Sequence, residues 1–201
     1  MIVDDKAKSR QYFNHHSSTG LNRNGYWRHD YRATAGILLD HHITRHIDIG
    51  CGNGAFLEYF SHASPDTELH GLDYSAEMVK RSRELLPSAR IVEGDAEHMP
   101  LESDAFDGVS CHMSIHHYPH PDQALREMHR ILMPGGLVLI NDLTGPRWLI
   151  RLMNWSFRHW NTGDHAVYAR TDMEQMLRSA GFRDVRSHSI TPFTYVCQGI
   201  K

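Results

Sequence analysis

The sequence predicts one α/β domain built on a doubly wound, parallel sheet. Short apolar, β-prone runs at 46–49, 68–73, 91–92, 106–111 and 137–140 alternate with segments of helical periodicity. This alternation is typical of a parallel sheet with helices on both faces. A chain of 201 residues with 40% apolar composition is long enough to bury the core of one such domain. We therefore expect a single domain over 1–201.

The first predicted strand ends in a glycine-rich turn with Gly50, Gly52 and Gly54. Glycine suits a turn that requires positive φ and a close approach of the backbone to a ligand. Asp48 lies inside the apolar run, where a carboxylate is costly unless it accepts hydrogen bonds. We expect its donors to be the amides of the glycine loop or a cationic group of the ligand. The turn is therefore interpreted as the floor of a nucleotide-type site.

The second predicted strand ends in Asp73, about twenty residues after the loop, at the ribose-binding position of Rossmann-like sheets. This position alone would fit NAD. The loop, however, lacks the GxGxxG spacing, Asp48 precedes it, and Gly94-Asp95-Ala96 follows the third strand. These features favour another adenosyl ligand.

Further motifs follow in order between residues 46 and 143: 48–54 (DIGCGNG), 71–75 (GLDYS), 93–97 (EGDAE), 106–107 (FD), 116–117 (HH) and 132–136 (LMPGG). With them the chain resembles the class I S-adenosylmethionine-dependent methyltransferases, in particular the small-molecule branch that includes the ubiquinone and menaquinone methyltransferases. The resemblance implies a Rossmann-like, mostly parallel seven-stranded sheet whose last strand is antiparallel. It also implies S-adenosyl-L-methionine as the cofactor and S-adenosyl-L-homocysteine as its product.

The resemblance places the cofactor on the carboxyl ends of the first four strands. Asp48 is expected at its amino group, and Asp73 at the two ribose hydroxyls, since an ionised carboxylate can accept from both. Asp95 is expected at the exocyclic amine of the adenine. The full set of expected cofactor residues is Asp48, Gly50, Cys51, Gly52, Gly54, Asp73, Tyr74, Met78, Gly94, Asp95, Ala96 and Cys111.

Four histidines follow the fourth strand: His112, His116, His117 and His120. Methyl transfer from a sulfonium is an in-line displacement, so positioning can supply much of the acceleration without a nucleophilic residue. A base is needed only if the acceptor loses a proton. The resembled family has a histidine matching His117, which we expect to be that base, with His116 as the second candidate. The alternative is that the histidine only shapes the pocket.

The spacing of these histidines matches no closed zinc pattern, and no cysteine pair accompanies them. We therefore expect no metal site.

Two aromatic segments are expected to cover the acceptor. In the resembled family an N-terminal segment, here 1–42 with Tyr12, Phe13 and His16, closes the substrate pocket; the alternative is that it caps the sheet edge. A second segment, 144–165, is predicted to be a lid whose Trp148 and Trp155 face the acceptor. The alternatives are a helix packed on the sheet edge and an interfacial helix in peripheral contact with a membrane.

The C-terminal part is predicted to hold one helix and a strand pair. Thr171 with Glu174 three residues later reads as a capping box for a helix over 171–180, and Gly181 as the residue that ends it. Strands are predicted over 184–190 and 193–198. Earlier in the chain, a helix is predicted over 121–133 and is expected to stop at the Pro-Gly-Gly of 134–136.

Composition limits the function classes. A net charge of −3 means that the chain lacks the overall positive charge with which proteins bind nucleic acid, so we expect no nucleic-acid partner. The N-terminus has no apolar signal core, no run approaches a membrane span, and the three cysteines are expected to be reduced, so a cytoplasmic location is expected. We expect a methyltransferase with a small or medium organic acceptor as its partner; the alternatives are a nicotinamide-dependent oxidoreductase and a non-catalytic adenosyl-binding module. The sequence gives no oligomeric state.

Overall fold

The fold was analysed in a computed structural model that describes residues 28–157, 159 and 163–201. The strands are β1 Arg45–Ile49, β2 Glu68–Asp73, β3 Arg90–Glu93, β4 Phe106–His112, β5 Leu132–Leu143, β6 Arg183–Thr191 and β7 Thr194–Ile200. The helices are α1 Arg28–Asp40, α2 Ala55–Ala63, α3 Ala76–Leu85, α4 Pro121–Ile131, α5 Arg147–Phe157 and α6 Arg170–Ser179, with a 3₁₀ turn at Ile115–His117.

The seven strands form one sheet in the order β3-β2-β1-β4-β5-β7-β6. The pairs β1·β2, β1·β4, β2·β3 and β4·β5 are parallel, whereas β7 is antiparallel to both β5 and β6. The predicted doubly wound sheet with an antiparallel last strand is confirmed. Consequently the carboxyl ends of β1 to β5 lie at one edge of the sheet, where ligands bind in open α/β folds.

The sheet separates two apolar cores, and β5 shows how one strand serves both. Leu137 and Leu139 pack into the core under α1, α2 and α3, while Val138 and Ile140 pack into the core under α4 and α6. A strand buried on both faces reads as a continuous apolar run, as it does here. Burial of each such side chain contributes roughly 1.5–3 kcal/mol.

The boundary between α4 and β5 differs from the expectation. The helix ends at Ile131, and β5 begins at Leu132, before the Pro-Gly-Gly that was predicted to end the helix. The reason is tertiary, because Leu132 pairs with Phe106 on β4 across a register shift. Pairing with the neighbouring strand therefore extends the backbone earlier than the local stop signal.

The predicted capping box of α6 is wrong. The N-cap is Ala169, without a side-chain hydrogen bond, and Thr171 lies inside the helix. Glu174 instead accepts a hydrogen bond from the Ser187 hydroxyl on β6. Gly181 does follow the helix with φ of +105°, as expected. Strands β6 and β7 are both longer than predicted, since they pair with each other from Arg183 to Ile200.

None of the helices in the described part of the chain has the length and apolarity required to cross a membrane.

Candidate active site

The glycine loop joins β1 to α2 and is held by the end of β2. The amides of Gly50 and Cys51 both donate to the Leu72 carbonyl, at 2.7 and 3.0 Å. The amide of Gly52 donates to Oδ2 of Asp73 at 2.8 Å. These three hydrogen bonds to β2 fix the path of the loop.

One glycine of the loop faces open space. Gly50, Gly52 and Gly54 have φ of +74°, +53° and +84°, values that side-chain-bearing residues rarely adopt. A Cβ at Gly50 would overlap Ser114, and one at Gly54 would overlap Ser82, whereas a Cβ at Gly52 would meet nothing within 4 Å. The backbone at Gly52 is therefore bare on the side where a bound adenosyl group would lie, and the residues fit that group.

Asp73 lies beside this bare surface. Its carboxylate accepts from the amides of Gly52 and Ser75, at 2.8 and 2.9 Å. Burial raises its pKa, although backbone hydrogen bonds oppose the rise. An ionised carboxylate has about four lone-pair sites, so it retains capacity for a ligand hydroxyl. Tyr74 and Met78 are half-buried next to it.

The expectation that the amides of the glycine loop donate to Asp48 is wrong. Oδ1 of Asp48 accepts from the Ser110 hydroxyl at 2.5 Å, and Ser110 lies 3.0 Å from Nε2 of His46. Asp48 and Ser110 are register partners on β1 and β4, which explains the contact. Burial raises the pKa of Asp48 to about 8 and lowers that of His46 to about 3. The loop amides instead donate to β2, as described above.

The two cysteines expected at the cofactor have buried side chains. Sγ of Cys51 fills the space that a Cβ at Gly71 would need, 2.8 Å away. Sγ of Cys111 lies 3.7 Å from the Tyr118 hydroxyl inside the core. Burial raises the pKa of both thiols. At the cofactor, these residues can therefore offer only backbone atoms.

The turn after β4 packs directly on the glycine loop. The Tyr118 hydroxyl donates to the Ile49 carbonyl at 3.3 Å and lies 3.0 Å from Oγ of Ser114. Oγ of Ser114 also occupies the space next to Gly50. The 3₁₀ turn Ile115–His117 lies between these two contacts, so it is held at the same edge of the sheet as the loop.

His116 is fixed by Asp142 at the end of β5. Its backbone amide and its Nδ1 both contact the carboxylate, at 3.1 and 2.6 Å. Burial acts to lower the pKa of His116, but the charge and the hydrogen bond of Asp142 outweigh burial and raise it. Because Nδ1 faces Asp142, Nε2 is the ring nitrogen that faces Asp164, 3.7 Å from its Oδ1.

His117 meets the same aspartate. Its Nδ1 lies 3.0 Å from the Gly163 carbonyl and 3.2 Å from Oδ1 of Asp164. Burial, with a smaller contribution from His116, lowers the pKa of His117 well below its usual value. The amide of His165 donates to the His116 carbonyl at 2.7 Å, which ties the Asp164 segment to the turn. We call His116, His117, Asp142 and Asp164 the histidine–aspartate cluster.

The structure brings most of the expected residues to one edge. The residues expected at the cofactor lie at or just after the carboxyl ends of β1, β2, β3 and β4, except Met78, which lies in the first turn of α3, and the cluster lies beside them. His112 lies elsewhere: it is buried and stacks on Phe56, with ring centroids 5.2 Å apart. Tyr12, Phe13 and His16 lie outside the described residues. Asp142 and Asp164 were not identified from the sequence, because nothing local links them to the histidines.

The segment 144–165, predicted to be a lid, contains the helix α5, and the aromatic face of this helix points away from the core. Trp148, Leu152 and Trp155 are 67%, 54% and 58% exposed, whereas Ile150 is buried. The spacing of the three exposed residues puts them on one side of the helix. These three side chains are therefore not packed on the sheet edge.

Comparison with known proteins identifies similar sequences. Residues 47–140 match the family described as "Methyltransferase domain". The chain is 29% identical over 177 residues to 2-methyl-6-phytyl-1,4-hydroquinone methyltransferase 1, chloroplastic, of Oryza sativa subsp. japonica, covering 85% of this chain and 51% of that protein. It is 32% identical over 133 residues to the demethylmenaquinone methyltransferase of Deinococcus radiodurans, covering 64% and 53%. The chain thus spans about half the length of these curated relatives.

Solved structures show the same fold at low identity. A Haloferax volcanii protein solved in complex with the Trm112 methyltransferase activator aligns with a TM-score of 0.76 at 20% identity, over 94% of this chain and 96% of that chain. An S-adenosylmethionine-dependent methyltransferase from Thermotoga maritima aligns with a TM-score of 0.66 at 19% identity, over 88% of this chain and 100% of that chain. Residues 47–140 thus match the methyltransferase-domain family, and the chain resembles the quinone methyltransferases in sequence and the S-adenosylmethionine-dependent methyltransferases in fold; this resemblance implies S-adenosylmethionine as the cofactor.

Proposed function

We propose that the protein transfers the methyl group of S-adenosylmethionine to a small organic acceptor, namely an aromatic ring that carries an ionisable hydroxyl, such as a hydroquinone. One observation carries the proposal. The bare glycine loop and the histidine–aspartate cluster lie side by side, joined by the bonds from Tyr118 to Ile49 and to Ser114. A cofactor site and a group of polar side chains that can act on an acceptor therefore share one edge of the sheet. The names of the relatives support the acceptor class.

On the cofactor side, the chain binds and orients. S-adenosylmethionine supplies a methyl group on a sulfonium, which is an electrophile with a good leaving group. The backbone around Gly52 gives close contact, and Asp73 accepts from the ribose hydroxyls. Asp48 lies below the loop, bound to Ser110. We assign the Asp48 carboxylate to the amino group of the cofactor, through a hydrogen bond or through a water.

On the acceptor side, His116 and His117 are the residues that we assign to the acceptor. Both imidazoles approach the same carboxylate oxygen of Asp164, at 3.7 and 3.2 Å, so they act on one region of the acceptor. We assign the exposed Trp148 and Trp155 of α5 to the cover of the acceptor. Removal of a proton by His117, or by His116, remains a prediction. In-line positioning of acceptor and methyl group accounts for much of the acceleration in either case.

Calorimetry and product analysis test this proposal. S-adenosylhomocysteine and sinefungin should bind the full chain, and NAD(P) should not. A panel of substituted hydroquinones and simple phenols, incubated with S-adenosylmethionine, should give a product heavier by one methyl group. Binding of NAD(P) without binding of S-adenosylhomocysteine would favour an oxidoreductase. Binding of S-adenosylhomocysteine without methylation of any acceptor would favour an adenosyl-binding module.

A further inference from the structure

We propose that His116, His117 and Asp164 form a binding site for a first-row divalent metal ion of the Zn²⁺ type, next to the glycine loop. Each of the three residues offers one ligand atom, and these atoms all lie within 4.8 Å of one another. His116 is buried and the other two are half-buried, so the ion would lie in a shielded position that solvent can still reach.

Two of the separations are close to those expected around a small ion. Oδ1 of Asp164 lies 3.7 Å from Nε2 of His116 and 3.2 Å from Nδ1 of His117. Ligands at 2.0–2.1 Å from a tetrahedral ion are about 3.3 Å apart, and the two separations bracket this value. The longer one exceeds the usual range of a hydrogen bond. One ion between these atoms would be bound by all three residues.

The chemical identity of the ligands points in the same direction. Two imidazole nitrogens and one carboxylate oxygen make a set that suits zinc and its neighbours in the first transition row. Three protein ligands also leave a coordination position open, as in catalytic zinc sites. The site is therefore built to bind a further oxygen ligand.

Asp142 supplies the support that metal-bound histidines require. A histidine that binds a metal through one ring nitrogen usually donates its other N–H to a carboxylate or carbonyl, which fixes the tautomer and the ring. Nδ1 of His116 makes this contact with Asp142 at 2.6 Å, so Nε2 is the nitrogen left for the ion. The Asp142 carboxylate also accepts the backbone amide of His116, at 3.1 Å, and that of Leu143, at 2.6 Å. Its orientation is therefore fixed.

His117 must change tautomer when the ion binds. Its Nδ1 lies 3.0 Å from the Gly163 carbonyl, a contact in which Nδ1 donates. To bind an ion, this nitrogen gives up its proton while Nε2 gains one, so no net proton is released. The lost hydrogen bond to Gly163 is replaced by the bond to the ion.

The role of the ion rests on the proposed function, whereas its binding does not. At its open coordination position, the ion would bind the hydroxyl oxygen of the acceptor. It would favour the ionised form of this hydroxyl, as Lewis-acid metals do. This would activate the ring or the oxygen toward the methyl group. With the ion bound, it takes the place of His117 or His116 as the group that ionises the acceptor, since a metal-bound ring nitrogen cannot accept a proton. Metal binding can thus be tested without an acceptor.

The test is a titration of the untagged full chain, first freed of metal with a chelator. Zn²⁺ is followed by calorimetry, and Co²⁺ by the visible absorption that tetrahedral sites give. One ion per chain is expected. Asp164→Asn and His117→Ala should each weaken binding by at least tenfold, and Asp142→Asn by about 10–100-fold. His98→Ala is the control, since His98 is exposed and outside the cluster, and it should bind as the wild type does.

Thermal melts identify the variants that fold. Asp164→Asn and His117→Ala are assessed separately, so the proposal can be tested as long as one of them folds. Stoichiometric binding that survives in a folded variant of either residue would overturn the proposal. So would the absence of a stoichiometric site in the wild type at micromolar Zn²⁺. S-adenosylhomocysteine binding is measured on the same samples, so loss of the metal site alone leaves the proposed function standing.

Discussion

Nδ1 of His116 lies 2.6 Å from Oδ1 of Asp142, although 26 residues separate them in the chain. The sheet creates this contact, because β4 and β5 are parallel neighbours in which His112 is paired with Asn141. The residues that follow the two strands therefore emerge together at one edge. The pair connects the histidine–aspartate cluster, which we assign to the acceptor, to the core of the fold.

Replacement of Asp142 tests that connection. Asp142→Asn keeps the size of the side chain and removes the charge that holds His116 in one tautomer. We expect kcat for methyl transfer to fall about 10–100-fold, the usual cost of losing a carboxylate that supports a metal-bound histidine, as His116 is in the proposed metal site. The dissociation constant of S-adenosylhomocysteine should remain within about twofold. An equal loss of cofactor affinity would show that Asp142 supports the whole edge of the sheet and has no specific role in orienting His116.

Two glycines with similar geometry test the cofactor surface. Gly52 and Gly135 have φ of +53° and +83°, and a Cβ at either would meet nothing within 4 Å. Alanine at each should therefore cost a similar strain, roughly 1–2 kcal/mol, and lower the melting temperature by a few degrees. Only Gly52→Ala should weaken the binding of S-adenosylhomocysteine, by tenfold or more, because the methyl group of the alanine enters the space of the ligand. Equal affinities in the two variants would place the cofactor elsewhere.

The exposed face of α5 gives a kinetic prediction. Trp155→Ala should raise the KM for the acceptor several-fold with a change in melting temperature of no more than about 1 °C, since Trp155 is 58% exposed. Ile150→Ala is the contrasting variant. Ile150 is 8% exposed, so its truncation should cost about 2–4 kcal/mol of stability. Unaltered kinetics in Trp155→Ala would remove the tryptophan from the acceptor site.

Asp48 predicts a pH-dependent stability in the cofactor-free protein. Burial raises its folded pKa from 3.8 to about 8, so between these values the folded state holds a proton that the unfolded state has released. Stability should therefore fall as the pH rises through this window, by up to about 1.4 kcal/mol per pH unit from this group, and level off above it. Asp48→Asn cannot ionise. The difference in unfolding free energy between wild type and variant, measured by urea titration from pH 5 to 9, isolates the contribution of Asp48.

A flat difference across that range would show that Asp48 ionises normally in the folded state. A wild-type stability that rises with pH relative to the variant would reverse the sign and contradict the raised pKa. Ser110→Ala is a useful companion, since it removes the hydroxyl that donates to Asp48 at 2.5 Å. It should raise the pKa of Asp48 further and extend the window to higher pH.

Much of the architecture was determined by local signals in the sequence. The alternation of apolar runs and helical segments predicted the parallel sheet, because a strand buried on both faces needs a continuous apolar run, as in 137–140. The three glycines that follow the first apolar run predicted the loop at 50–54, because glycine readily adopts the positive φ that such a turn requires. The position of Asp73 at the end of the second strand also follows from the chain order alone. These features depend on neighbours in the sequence.

The polar partners were decided by the tertiary structure. Asp48 meets Ser110 because β1 and β4 are adjacent and in register at these two residues. His116 meets Asp142 because β4 and β5 are adjacent, and Asp164 reaches both histidines because its segment bonds back to the turn through His165. Thr171 shows the converse, since a good local cap signal was overridden by packing of α6 against β6. A side-chain hydrogen bond needs atoms within about 3 Å, and only strand order and register fix distances on that scale between residues far apart in the chain.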